Sequence, residues 1–210
     1  MYSILIIEDD DRVRGVMQEI LQEDGFDVRL ACDGVAGIAE IKKRIPDLIL
    51  CDIQMPGMDG HSVFETLKLD TTYAIVPFIF VTAQDERADI RRAMSAGADD
   101  YLTKPFSPEE LVAAIVGRLH RINLIRIGAK KSVFQDEYAL LKQLVTPREM
   151  EILLLVGQGY ISNEIAKRLN IHYNTVQVHR TNLMQKLDAP NSATLARWAI
   201  IGEYMLSTDQ

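Results

Sequence analysis

The chain has little of several residue types, and each shortage closes off a class of protein. Cysteine occurs twice in 210 residues, as Cys32 and Cys51. That is neither the density of a disulfide scaffold nor a metal-site spacing. Both lie beside apolar residues and are expected to be small buried side chains. Apolar runs such as Ile152 to Val156 and Pro77 to Val81 fall far short of the roughly 20 residues that span a bilayer. No basic stretch leads into an apolar one at the N-terminus, and acidic residues arrive by Glu8. The expectation is a cytoplasmic protein with no secretory signal and no membrane segment. A basic excess is also missing, since the net charge is −7. That acidity is unevenly spread: residues 1–122 hold 13 Lys+Arg against 22 Asp+Glu, and residues 123–210 hold 10 against 8. The back part is therefore free to approach phosphate, although its charge does not demand it.

What is present divides the same way. Residues 1–122 alternate strand and helix signals. Strands are predicted at Ser3–Ile7, Asp27–Ala31, Leu48–Cys51, Phe78–Val81 and Tyr101–Leu102. Helices are predicted over Asp11–Asp24, from Gly34 to about Arg44, and over Pro108–Ile122. In the first of these, Val13, Val16, Met17, Ile20 and Leu21 share one face. Near-continuous apolar strands between helices imply a parallel sheet covered on both sides, a five-stranded doubly wound flavodoxin-like fold. Residues 123–143 read as a linker, with a possible helix over Val133–Leu144. Residues 144–210 carry helix signals alone and read as a small all-α domain.

In doubly wound sheets, chemistry collects at the carboxyl ends of the strands. The first strand is followed at once by Glu8, Asp9 and Asp10. The third ends at Asp52, the fourth at Thr82, and the fifth runs into Lys104. Crowded carboxylates favour a hard cation such as Mg²⁺. An aspartate beside that cation can attack a phosphoryl group, which Thr82 and Lys104 are suited to hold.

These segments, "ILIIEDD", "DLILCDIQMPGMDG", "FIFVTAQ" and "GADDYLTKPF", resemble the response-regulator receiver family across Met1 to Ile122. Spacing agrees, with 43 residues from Asp9 to Asp52 and 52 from Asp52 to Lys104. The resemblance implies that Asp52 is the phosphoacceptor. It makes Glu8, Asp9, Asp52 and the Gln54 backbone carbonyl the Mg²⁺ ligands. Thr82 would swing toward the phosphoryl group, Lys104 would pair with it, and Tyr101 would turn inward. Ala83, being small, would leave access open, and Lys104-Pro105 would be a cis bond. No enzyme activity is expected beyond slow self-dephosphorylation, tuned by Gln54 and Gln84. Two alternatives fit worse. A haloacid-dehalogenase-type phosphatase wants a second Asp where this chain has Gln54, and a flavin phosphate would be repelled by the acidic loop after the first strand.

The back part opens with "TPREMEILLLVGQG", in which Thr146, Pro147 and Glu149 form a capping box with a proline at the first helical position. Ser162 is predicted to cap a short helix through Leu169. After the turn "NIHY", Asn174 is predicted to cap a longer helix, Thr175 to Leu187. Together with "GYISNEIAKRLNIHYNTVQVHRTNLMQKL", this segment resembles the LuxR/NarL-type helix-turn-helix. The resemblance implies double-stranded DNA as a partner, with Gln177, Val178 and Thr181 facing base edges. Lys167, Thr175, His179, Arg180 and Lys186 would contact phosphates. Gln pairs well with adenine, and Val meets a thymine methyl. Many relatives carry Lys where this chain has Gln177. Two apolar stripes on the last helix, Trp198/Ile201/Met205 and Leu195/Ala199/Leu206, suggest either extra core or a dimer contact, the dimer being the favoured of the two. Together the two resemblances imply a transcription regulator that a histidine kinase phosphorylates and that forms a homodimer when phosphorylated. An adaptor binding protein instead of DNA is the rival reading, motivated by Gln177 and the near-neutral back part.

Overall fold

The computed structural model describes residues 2–83, 100–127 and 135–208. The chain divides into two compact units, Met1–Leu111 and Val112–Gln210. In the first, five parallel strands form one sheet: β1 (Ser3–Ile7), β2 (Asp27–Ala31), β3 (Leu48–Asp52), β4 (Phe78–Ala83) and β5 (Asp100–Lys104). Their spatial order is β2-β1-β3-β4-β5. The order reverses between β1 and β3, so the carboxyl ends of those strands flank the crevice where doubly wound folds bind ligands. Every residue of β1 and of β3 is buried, as expected of strands covered on both faces.

Three helices of this unit begin at aspartate caps. Asp10 accepts from the Arg12 and Val13 amides at the start of α1 (Asp11–Glu23). Asp33 caps α2 (Gly34–Lys43), and Asp59 caps α3 (Gly60–Lys68). Such carboxylates satisfy amides that have no partner inside the helix. Glycine is required at position 60, because a Cβ there would lie 2.2 Å from the Asp52 carbonyl oxygen. The first turn of α3 thus sits directly against the end of β3. Phe64 of α3 packs edge-on against Phe78 at 5.1 Å between ring centroids, in a core with Ile49 and Phe80.

Several expectations need adjustment. Val16 is 54% exposed instead of joining the apolar face of α1. Cys51 is buried, but Cys32 is exposed, because it lies just past the last residue of β2, at the open end of the sheet. The helix predicted to stop at Ile122 runs on as α4 (Pro108–Ile127), into the expected linker, while α5 (Gln135–Leu144) falls where a helix over Val133–Leu144 is expected.

The second unit comprises the later part of α4, then α5, α6 (Pro147–Gly157), α7 (Ser162–Leu169), α8 (Tyr173–Lys186) and α9 (Ser192–Thr208). The Thr146 capping box forms as predicted. Leu195, Trp198, Ala199, Ile201 and Met205 are all buried in one core with residues of α5 to α8, and only Leu206 of the two stripes is exposed. The stripes are interior packing and not a free dimer face. Trp198 Nε1 also donates to the Leu187 carbonyl at 3.2 Å. His120 of α4 is buried and meets Glu203 of α9 at 2.5 Å. Among the described residues no helix is long and apolar enough to cross a membrane.

Candidate functional site

The parallel register aligns the carboxyl ends of β1, β3 and β5, and three strand-end groups meet there. Lys104 Nζ lies 2.7 Å from Asp52 Oδ2 and 2.7 Å from Glu8 Oε2. Carboxylate oxygens of Glu8, Asp9 and Asp52 all fall within 4.8 Å of one another. Glu8 and Asp52 are buried and Asp9 is exposed, so the cluster opens to solvent on one side. The Gln54 amide donates to Asp52 Oδ1 at 3.1 Å, which brings the backbone at Gln54 against the same carboxylate. An open cleft of about 550 Å³, lined by Asp9, Ile53, Gln54, Met55, Pro56, Asp59 and His61, adjoins the cluster.

Electrostatics follow from this crowding. Burial, reinforced by the neighbouring Asp52 charge, raises the Glu8 pKa to about 7 even though Lys104 pulls it down. Burial also works against the Lys104 ammonium, but its hydrogen bonds to Asp52 and Glu8 outweigh that and hold its pKa above the ordinary lysine value. Burial pushes the Cys51 thiol well up, so it stays protonated and inert. Three oxygen-only ligands in this space suit a hard divalent cation that keeps some of its water.

The remaining predicted residues surround the cluster. Thr82 is buried, and its hydroxyl donates to the Ala83 carbonyl at 3.3 Å. Ala83 is exposed. Tyr101 is 41% exposed, standing outward from β5. The Lys104-Pro105 peptide is cis. Gln84 lies outside the described residues. Sequence reasoning missed Arg14, whose Nη1 donates to the Glu8 carbonyl at 2.6 Å. Its place one turn into α1, six residues past Glu8, was the available signal.

The second unit presents a separate constellation on α7 and α8. Asn170 ends α7 in left-handed backbone (φ 51°), and the Ile171 amide reaches back to the Ala166 carbonyl at 3.0 Å. The cap of α8 is His172, whose Nδ1 accepts from the Asn174 amide at 3.2 Å, so the helix starts one residue before the predicted cap. On α7 the cap residue is Ile161, and the Glu164 carboxylate accepts from its amide at 3.0 Å. Val176, Leu183 and Leu187 bury one side of α8. Asn174, Thr175, Val178 and Thr181 are exposed on the other, with Val178 58% exposed.

Among the predicted DNA contacts, Lys167 is exposed on α7. Gln177 Nε2 donates to the Tyr173 hydroxyl at 2.5 Å, and the Thr181 hydroxyl donates to the Gln177 carbonyl at 3.0 Å. Arg180 Nη1 lies 3.3 Å from Ser162 Oγ. His179 is half-buried with Nδ1 enclosed. Lys186 is exposed too, and its ammonium lies 2.7 Å from Oε2 of the buried Glu149, which also accepts from Thr146, so it already has an anionic partner within the domain. That bond and the Thr146 bonds overcome the effect of burial and hold the Glu149 pKa below the ordinary value.

Comparison with known proteins finds two families in the chain. Residues 4–116 match the response regulator receiver domain family, and residues 143–199 match the bacterial regulatory proteins of the luxR family. A protein of Cyanophora paradoxa named "Probable transcriptional regulator ycf29" is 35% identical, over 95% of this chain and 97% of its own. The tetrathionate response regulatory protein TtrR of Salmonella typhimurium is 32% identical, over 94% of this chain and 91% of its own. The solved receiver domain of Francisella response regulator 1452 superposes with a TM-score of 0.54 at 30% identity, covering 58% of this chain and 99% of that one.

Proposed function

This chain belongs to the two-component response regulators, with a receiver domain followed by a LuxR-family DNA-binding domain, and on that premise we propose that a phosphoryl group carried on Asp52 sets the affinity of α8 for DNA. The observation that carries the proposal is the single ammonium, Lys104, shared by Asp52 and Glu8 at 2.7 Å each. It holds the Asp52 carboxylate in place beside Glu8, with an edge of the Asp52 side chain still reachable from solvent.

In the transfer, an Asp52 oxygen attacks the phosphorus of a phosphohistidine on a partner kinase. The new P–O bond forms as the P–N bond breaks, and the electron pair departs with the imidazole nitrogen, which picks up a proton. A Mg²⁺ ion held by Glu8, Asp9, Asp52 and the Gln54 carbonyl would supply charge neutralisation for the phosphoryl oxygens. Lys104 is within reach of those oxygens once its bond to the Asp52 carboxylate is exchanged for one to the phosphoryl group. Thr82, two strands from β1 and next to β3 in the sheet, turns its hydroxyl from the Ala83 carbonyl to the phosphoryl group, and Tyr101 follows inward.

The exposed side of α8 then serves as the reading surface. Gln177, Val178 and Thr181 meet base edges, and Lys167, Thr175 and Arg180 position the helix on phosphates. We place the chain in the cytoplasm, acting on double-stranded DNA as a phosphorylation-dependent homodimer through a surface other than the buried α9 stripes. It has no catalytic cycle of its own beyond slow loss of the phosphoryl group. Labelling with a small phosphodonor and Mg²⁺, read on a phosphate-affinity gel, tests the transfer. Wild-type protein should shift and Asp52→Asn should not, whereas labelling of the variant at the wild-type level would overturn the assignment.

A further inference from the structure

The exposed side of α8 carries a linked pair. Tyr173 is the first residue of the helix, and Gln177 lies one turn on, at the spacing where helical side chains meet. Gln177 Nε2 donates to the Tyr173 hydroxyl at 2.5 Å. An unrestrained glutamine presents its amide either way round, with two N–H donors or with a carbonyl acceptor. Here one N–H is taken by Tyr173. What remains free is Oε1 and the second N–H, an acceptor and a donor side by side.

That remainder matches one base edge. Adenine offers the N6 amino donor and the N7 acceptor in the major groove, and an amide pairs with both at once. Guanine offers two acceptors, O6 and N7, which would call for both N–H groups. Thr181 cannot compete for the same edge as a donor, because its one O–H is bonded to the Gln177 carbonyl oxygen of the main chain at 3.0 Å. Val178, 58% exposed, stands next to the pair as an apolar neighbour suited to a thymine methyl. We propose that Tyr173 is a positioning residue that presets the Gln177 amide to read one adenine in each DNA half-site. The inference rests on the reading of α8 as the recognition helix. Its physical basis is pre-organisation: an amide already held in its reading orientation loses less freedom on binding.

The test is selection from a randomised duplex library with the full chain after treatment with acetyl phosphate and Mg²⁺, comparing wild type, Tyr173→Phe and Gln177→Ala. Gln177→Ala identifies the position that Gln177 reads. Wild type should enrich adenine there. Tyr173→Phe, which removes a single oxygen, should lower the adenine-over-guanine preference at that position by about threefold or more. It should leave the other positions, the salt dependence and the thermal melting of the helices as they are. A Tyr173→Phe matrix identical to wild type overturns the positioning role, as does guanine at that position in the wild-type matrix. A wild-type chain that enriches no sequence overturns the recognition-helix reading itself, and the Tyr173 role with it.

Discussion

Lys104 Nζ lies 2.7 Å from Asp52 Oδ2 although 52 residues separate them. Only a sheet that places β4 between β3 and β5 in parallel register brings them together. The same ammonium holds Glu8, so one side chain ties the ends of β1, β3 and β5 into a single electrostatic unit. Removing it has consequences both for stability and for signalling.

Lys104→Met leaves two buried carboxylates facing each other without a counter-charge. Between pH 7 and 8 without Mg²⁺, it should destabilise the receiver domain by about 2–4 kcal/mol, since truncating one partner of a buried pair leaves an uncompensated charge. Urea unfolding followed by circular dichroism measures this. Added Mg²⁺ should recover part of the loss by neutralising the same carboxylates. The phosphorylated variant should still form yet fail to gain DNA affinity.

Glu8 makes cation binding pH-dependent. Its pKa is raised from 4.5 to about 7 by burial, so below pH 7 a cation must displace a proton. Apparent Mg²⁺ affinity should rise about tenfold from pH 6 to pH 8 and flatten above that. Without the cation the linkage runs the other way. The folded chain keeps a proton that the unfolded chain releases, so Glu8 contributes stability below pH 4.5 that is lost as pH rises through 7. Calorimetric titration in two buffers of different ionisation enthalpy reads the proton count directly.

Lys167 and Lys186 should separate cleanly. Lys167 is exposed on α7, three residues past Glu164, so Lys167→Ala should lower the slope of log affinity against log salt by about 1, with stability nearly unchanged. Lys186→Met should leave that slope alone. It should instead cost about 1–3 kcal/mol of folding stability, because the buried Glu149 loses its cation.

Trp198 tests the interior assignment of α9. It is the chain's one tryptophan, 9% exposed, so its fluorescence reports unfolding of the second unit. Trp198→Ala should destabilise that unit by about 3–5 kcal/mol. If the stripe were instead a dimer contact, the variant would keep its stability and change only the sedimenting mass.

These cases also mark where sequence reasoning reaches and where it stops. β1 was legible to the residue because an apolar run of strand length ends at the acidic Glu8-Asp9-Asp10 turn, and β2 because Gly25 ends the helix before it and the Asp33-Gly34 turn follows it. Asp9, Asp52 and Lys104 were legible as a group because the strand-end rule turns separated positions into neighbours. The Glu149–Lys186 pair was not, since nothing local links positions 37 apart. Periodicity showed that α9 has two apolar stripes, but not that α5 and α6 cover them. The cap of α8 was misplaced because an imidazole nitrogen accepts the amide bond usually taken by a short polar side chain. The neighbours of Cys32 point to the interior, but exposure begins at Cys32 itself, one residue past the buried Ala31 that ends β2.

The central claim is that phosphorylation at Asp52 changes how tightly the second unit holds DNA. Its most direct test is fluorescence-anisotropy titration of a selected duplex, at one fixed salt concentration, with and without acetyl phosphate, for wild type and Asp52→Asn. The account predicts that the donor tightens wild-type binding at least about tenfold, within the range of ordinary allosteric coupling, and leaves Asp52→Asn at the unphosphorylated value. Equal tightening of both proteins, or wild-type affinity indifferent to full phosphorylation of Asp52, would contradict it.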